Sequence, residues 1–301
     1  MNAKYVISTD NVNIMLPSNI KPLRKAERIF IQHGVISFKR VEHVYHSKKD
    51  IADKFLVSSN FEQNIIENHY GYNKSQIVHT GMPRTQYLSN DDGKKSILLS
   101  FTWRPHIRTK EVFLQSQYYR KLNSLLQNEK LNAQLKDSNI EVNILLHPRM
   151  VEYMDLLHPS SSNIRFSKFS EIDVKECIEK SSMLITDYSS ILFDFAYLQK
   201  PVIMYGFDYF KGNYTLEKHQ IEKVLPNTFF EEEEDIVDNV CEYIKNNFTL
   251  SKKNKKSYRQ MIRQEQASCN QLFKLLDEHK GRSTASYKDV KHEEKKVAVN
   301  S

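Results

Sequence analysis

Residues 183–205 constrain this chain more than any other stretch. An apolar run, Met183-Leu184-Ile185, passes into the polar turn Thr186-Asp187-Tyr188-Ser189-Ser190, after which Ile191, Leu192, Phe195 and Leu198 fall at helical spacing. A second apolar run, Pro201-Val202-Ile203-Met204-Tyr205, follows. The pattern reads as strand, turn, helix, strand, a unit that builds parallel sheets whose ligands collect at the carboxyl ends of the strands. Asp187, Ser189 and Ser190 are residue types that cap helix N-termini, where unpaired N–H groups and the positive end of the helix dipole suit a phosphate. A capped helix without any ligand carries the same residues, so the functional reading depends on what accompanies it elsewhere.

A chain of 301 residues has room for two domains. No apolar run approaches the roughly 20 residues of a membrane span, and Met1-Asn2-Ala3-Lys4 does not open a signal peptide, so a cytoplasmic protein is expected. Cys177, Cys241 and Cys269 lie far apart and read as reduced packing residues. The formal charge of +7 asks for an anionic partner, whether nucleic acid, acidic lipid or a phosphorylated molecule or polymer. With no internal repeat and no aromatic-interleaved RNA-recognition signature, nucleic acid is not expected. The basic run at 251–256 and the acidic run at 231–235 read as solvated helix ends or loops.

Along the chain, strands are predicted at 4–8, 28–32, 55–59 and 77–80, then at 96–100, 139–146, 183–185 and 201–205. Helices are predicted at 61–69, capped by Ser59 or Asn60, over 111–135 as one helix with or without a break, and after 170–173, which resembles a capping box. Two more amphipathic helices are predicted, one through Ile236 and Ile244 and one over 258–279, with a polar looped region after Gly206-Phe207-Asp208-Tyr209 as far as Thr228. The polar stretch 90–95 gives a division into 1–92, 93–280 and a disordered charged tail, 281–301. Because a strand comes almost at once, the first domain is expected to be shortened at its start.

Two histidines end strands. His33 follows the second strand and precedes Gly34, the position where an α/β enzyme places a reactive group, and His147 closes the strand at 139–146 with Arg149 two residues on. Each alone also suits a hydrogen-bonded structural role. Trp103, the chain's one tryptophan, and Arg104 share the turn after 96–100. Arg84, in the turn Gly81-Met82-Pro83-Arg84, reads as a phosphate contact or a surface charge.

Taken in order, Gln32-His33-Gly34, Gly81-Met82-Pro83-Arg84, Thr102-Trp103-Arg104, His147-Pro148 and Thr186-Asp187-Tyr188-Ser189-Ser190 with Phe193-Asp194 resemble the CDP-glycerol glycerophosphotransferase family of teichoic acid and capsular polymer synthesis. The likeness runs over residues 29–214. It departs from the family's usual pattern at Gln32, where tryptophan is common, at Phe101, where proline is usual, and at Gln86, which replaces an acidic residue. The resemblance implies an α/β, GT-B-like pair of Rossmann-type domains with an interdomain cleft. It implies that His33 is the general base for an acceptor hydroxyl that attacks CDP-glycerol at the phosphorus nearest the glycerol, with CMP leaving.

Within that resemblance His147 and Arg149 would stabilise the pyrophosphate, Ser189, Ser190 and the backbone amides at that helix start would hold the phosphates, and Thr186 and Asp187 count with them among the donor-binding residues. Asp194, one helical turn beyond Ser190, would hold the ribose or orient Ser189, and Arg104 and Arg84 are further candidates. No metal site and no tightly bound cofactor is expected, since no Asp-x-Asp pair, His/Cys cluster or G-x-G-x-x-G occurs. The implied partners are a CDP-polyol donor and a glycan or lipid-linked polymer acceptor, with peripheral contact at the inner face of the membrane through Lys and Arg patches. The rival readings are a GT-B glycosyltransferase using a nucleotide-sugar and a non-catalytic module that binds anionic polymer.

Overall fold

A computed structural model describes residues 3–11, 26–91, 93–168, 170–262, 269–274 and 276–277. The tail from 281, predicted to be disordered, lies outside the described residues. Two parallel sheets organise the chain. In the first, β1 (Tyr5–Ser8), β2 (Glu27–Phe30), β3 (Lys54–Val57) and β4 (Ile77–His79) lie side by side in sequence order. The short helix α1 (Glu42–Tyr45) and the longer α2 (Asn60–Tyr70) belong to this half. Ser59 Oγ accepts the Glu62 N–H at 3.2 Å to start α2, and Gly71, at φ +69°, ends it in the left-handed conformation that glycine reaches without a Cβ clash.

The second half contains β5 (Ser96–Ser100), α3 (Lys110–Gln115), α4 (Gln117–Gln127), α5 (Glu129–Asp137), β6 (Glu141–Leu145) and β7 (Ile164–Ser167). It continues with α6 (Val174–Lys180), β8 (Met183–Thr186), α7 (Ile191–Tyr197), β9 (Val202–Tyr205), α8 (Lys218–Val224), β10 (Phe229–Phe230), α9 (Glu233–Lys245) and α10 (Lys252–Met261). The strands order as β10-β9-β8-β5-β6-β7, all parallel. Every residue of β5, β8 and β9 is buried, as expected of strands covered by helices on both faces.

Several predicted elements change on inspection of the fold. The helix expected over 111–135 is three helices, because Ser116 and Asn128 turn their side chains onto the amides of Tyr119 and Leu131, both at 3.0 Å, and so begin new helices. Asp173, not Ser170, caps α6 by accepting the Lys175 N–H at 2.8 Å. The predicted loop at 210–228 contains α8, and α10 begins at Lys252, so the basic run forms its first turns behind the Ser251 cap. The edge strands β7 and β10 escaped prediction: one carries Arg165 and partly exposed residues, the other is two residues long, and neither presents a continuous apolar run.

The two halves are packed together and are not consecutive blocks of chain. Phe38 stacks on Phe193 with centroids 5.5 Å apart. The Arg40 N–H donates to Asn213 O and the Thr215 N–H to Phe38 O, both at 2.9 Å, around an antiparallel bridge between Lys39 and Tyr214. Helix α10 packs on α2 of the first half and α7 of the second. Ser59 Oγ bonds Met261 O at 2.7 Å, and Tyr258 OH accepts the Val202 N–H at 3.1 Å. Beyond α10, Leu272 and Leu276 pack with Ile29 and Leu56, so the end of the predicted block 93–280 covers the first sheet. Among the described residues, no helix is long and apolar enough to cross a membrane.

Candidate active site

In the second sheet β5 and β8 are neighbours, whereas the chain leaves β5 toward β6 on one side and β8 toward β9 on the other. Such a reversal opens a crevice beyond the carboxyl ends of the two strands, because the following connections run apart. The segments that emerge there are Phe101-Thr102-Trp103-Arg104 and Asp187-Tyr188-Ser189-Ser190. Facing them from the first half is the loop after β2, with His33, Gly34 and Lys39. Together they line a cleft of about 270 Å³ whose walls include His33, Lys39, Arg84, Trp103, His147, Ser189 and Ser190.

The histidines come from different sheets and are held differently. His33 is exposed, and its Nδ1 donates to the Thr9 carbonyl at 3.2 Å, which leaves the neutral ring its lone pair on Nε2. His147 is half-buried and does the reverse: its Nδ1 accepts the Arg149 N–H at 3.2 Å, so the neutral ring carries its proton on Nε2. Partial burial, and after it the positive charges of Lys39 and Arg149, push the His147 pKa down to about 4. One imidazole therefore offers an acceptor and the other a donor. Trp103 supports the second, with His147 stacked at 5.8 Å and the Arg149 guanidinium at 4.2 Å from its ring centroid.

Ser189 and Ser190 stand on the cleft wall as predicted, and neither hydroxyl makes a hydrogen bond within the described residues. None of the three residues expected to cap α7 does so with its side chain: Ser190 is the N-cap without a side-chain bond, and Asp187 Oδ1 accepts the Ser189 N–H at 3.1 Å within the preceding turn. Ser190 is crowded against the histidine loop: a Cβ placed on Gly34 would meet Ser190 Oγ at 2.5 Å. Only a glycine allows the two halves this close approach.

Five residues predicted to touch the donor do not line the cleft, and four of them are buried. Thr186 is fully buried and donates through Oγ1 to Ser100 O at 2.5 Å. Arg104 (1% exposed) and Asp187 (0%) sit behind the wall in an ion triad with Asp208. Arg104 Nε and Nη2 donate to Asp208 at 2.6 and 3.1 Å, and Nη1 donates to Asp187 at 2.8 Å and to the Thr102 carbonyl. Burial alone would lower the guanidinium pKa, but the charges of Asp187 and Asp208 hold it well above its ordinary value. Tyr118, Tyr188 and Phe207 surround the cation. Asp187 in turn accepts the Thr102 N–H at 2.9 Å and its hydroxyl at 2.8 Å, which ties the β5 and β8 loops to one another.

The fourth is Asp194, buried and paired with Arg84 across the two halves. Arg84 Nε donates to Asp194 Oδ1 at 2.9 Å, Nη2 reaches the second carboxylate oxygen, and Nη1 donates to the His33 carbonyl at 2.7 Å. Arg84 thus borders the cleft as a tie between Asp194 and the His33 loop. Arg149 is exposed and lies on Trp103, off the cleft wall.

Sequence reading missed Lys39 and Asp208. Lys39 is half-buried on the cleft wall, where burial lowers its ammonium pKa. Nothing local distinguishes it, because its place depends on how the loop after β2 crosses to Tyr214. Asp208 did carry a signal, since it follows β9 at the same carboxyl edge as the other turns. Among the described residues, no three His, Cys, Asp or Glu side chains gather in a way that could hold a metal ion.

Comparison with known proteins adds to this geometry. The family described as CDP-glycerol:poly(glycerophosphate) glycerophosphotransferase matches residues 1–274. The minor teichoic acid biosynthesis protein GgaB of Bacillus subtilis is 29% identical over 243 residues, covering 76% of this chain and 26% of the relative. The teichoic acid glycerol-phosphate primase of the same organism is 26% identical over 226 residues, covering 69% of this chain and 56% of the relative. The chain therefore spans little more than half the length of one and about a quarter of the other. In fold, it is similar to the wall teichoic acid polymerase TagF, with a TM-score of 0.65 at 16% identity over 94% of this chain and 74% of that one. It is also similar to the S. aureus MnaA–UDP complex, with a TM-score of 0.57 at 11% identity over 92% and 74% of the two chains.

Proposed function

This chain belongs to the CDP-glycerol:poly(glycerophosphate) glycerophosphotransferase family, and from that premise we propose that it transfers a polyol phosphate, glycerol phosphate foremost, from a CDP-activated donor to a hydroxyl of a glycan or polymer acceptor. The observation that carries this reading is the pair of imidazoles bordering one cleft, His33 as acceptor and His147 as donor. In the proposed step the acceptor oxygen forms a bond to the phosphorus nearest the polyol, its proton passes to His33 Nε2, and the bond to the bridging oxygen breaks, with its electron pair leaving on CMP. Phosphoryl transfer of this kind asks for positioning and charge neutralisation more than for covalent help.

Lys39, and the hydroxyls of Ser189 and Ser190, are the groups proposed to meet the donor phosphates, with the neutral His147 donating through Nε2. Arg84, Arg104, Asp187 and Asp194 are proposed to hold that wall in shape. The expected setting is the cytoplasmic face of the membrane, with the exposed Lys252, Lys253, Lys255 and Lys256 meeting anionic lipid. Failure to sediment with anionic vesicles at low salt would remove the membrane contact from the proposal.

The test is incubation with CDP-glycerol and with CDP-ribitol, with and without acceptor, while CMP is measured; a UDP-sugar is the control donor. His33→Ala should lower turnover by roughly 10²–10⁴-fold while donor binding holds. No CMP from either CDP-polyol, or an unimpaired His33→Ala, would refute the reading.

A further inference from the structure

Gln32 has a backbone conformation that its residue type seldom adopts. Its φ is +58°, in the left-handed region that side chains with a Cβ disfavour by roughly 1–2 kcal/mol. The side chain, 3% exposed, folds back to offset this. Nε2 donates to Leu56 O at the end of β3 at 2.7 Å and to Glu62 Oε1 on α2 at 2.8 Å. Oε1 accepts the Ile36 N–H at 3.3 Å, which closes the loop from residue 32 to residue 36. Glu62, with no exposure, has its other oxygen filled by the Ser58 N–H at 2.5 Å and the Ser58 hydroxyl at 2.7 Å. Both hydrogens and the oxygen of the Gln32 carboxamide are therefore used, and the loop so closed carries His33 and Gly34.

We propose that Gln32, braced by Glu62, is a positioning residue for His33: the carboxamide fixes the loop that holds the ring against Thr9 O and so keeps Nε2 free as the acceptor. The catalytic part of this proposal rests on the transferase reading above, whereas the ring geometry does not. A bond of 3.2 Å from an exposed ring to one carbonyl is easily lost, so the loop has to supply the orientation. A residue that acts in this way affects turnover without touching the donor, because a small displacement of a reacting group slows chemistry by up to about 10²-fold.

Gln32→Gly separates backbone from side chain, since glycine accepts the positive φ and only the hydrogen bonds are lost. Glu62→Gln serves as a second variant that keeps volume but sets an amide against donors. In both, kcat should fall roughly 10–100-fold with the donor KM within about twofold. His33→Ala should cost less in the Gln32→Gly background than in the wild type, because a displaced base has less to lose. Independently, ¹⁵N spectra of the histidine rings in the full chain, assigned by the signal lost in His33→Ala, should give an Nδ1–H form for wild-type His33 and a mixture in Gln32→Gly. An unchanged His33 spectrum in a folded Gln32→Gly, or effects of the two substitutions that simply multiply, would overturn the proposal. Wild-type protein that releases no CMP while the ring spectrum still changes would instead overturn the transferase reading and uphold the positioning role.

Discussion

Replacing Arg104 with methionine should cost this protein stability far more than donor affinity. The guanidinium is 1% exposed and stands between Asp187 and Asp208, 0% and 3% exposed, so its removal leaves two buried carboxylates without their cation. Breaking a buried ionic group by deleting one partner destabilises by about 3–5 kcal/mol, because the uncompensated charge cannot return to water. In a unit of 150–250 residues, 1 kcal/mol moves the unfolding midpoint by about 2–4 °C, so a fall of roughly 6–20 °C is expected. Calorimetry reads the midpoint, and titration of CDP-glycerol, at a temperature where the variant is folded, reads affinity. Neutralising the whole triad, in Arg104→Met with Asp187→Asn and Asp208→Asn, should recover at least about half of the loss, since the desolvated charges are then gone. A midpoint within about 2 °C of wild type, together with abolished donor binding, would refute the reasoning and return Arg104 to direct contact with ligand.

Two further outcomes follow from the cleft. The folded state holds the His147 pKa at about 4 against an ordinary 6.5, so its contribution to stability is complete above about pH 6.5 and is lost as the pH falls from there toward 4; His147→Gln should flatten the midpoint-versus-pH curve in that window, and parallel curves would count against it. Gly34→Ala should lower turnover by about tenfold or more by driving the His33 loop off Ser190, and Ser190→Gly in the same protein should recover part of it, unless the contact of the two halves is unimportant for turnover.

The second sheet was legible because its central strands are buried on both faces, and a short all-apolar run such as 97–99 or 183–185 suits such a strand. The site was legible in part for the same reason. Turns at the carboxyl ends of parallel strands converge, which brings His147, Ser189 and Ser190 to one edge of the second sheet, whereas the expectation that His33 of the first sheet faces them came from the family resemblance. What the sequence hid was the direction of each side chain. Arg104 and Asp187 look like ligand groups until their partner Asp208, on another turn, is known. Arg84 and Asp194 are 110 residues apart, and no local pattern couples them. Lys39 owes its place to a crossing between the halves, and the helices at 111–135 merged because two capping residues fit a helix interior well enough to pass unnoticed.

The main-chain bonds joining residues 38–40 to 213–215, with the Phe38–Phe193 stack beside them, shut one margin of the cleft as a hinge shuts a door. Separating the halves at that edge has to break main-chain bonds as well as side-chain contacts. Lys39 is set in that bridge, so its place on the cleft wall is fixed by its own main chain.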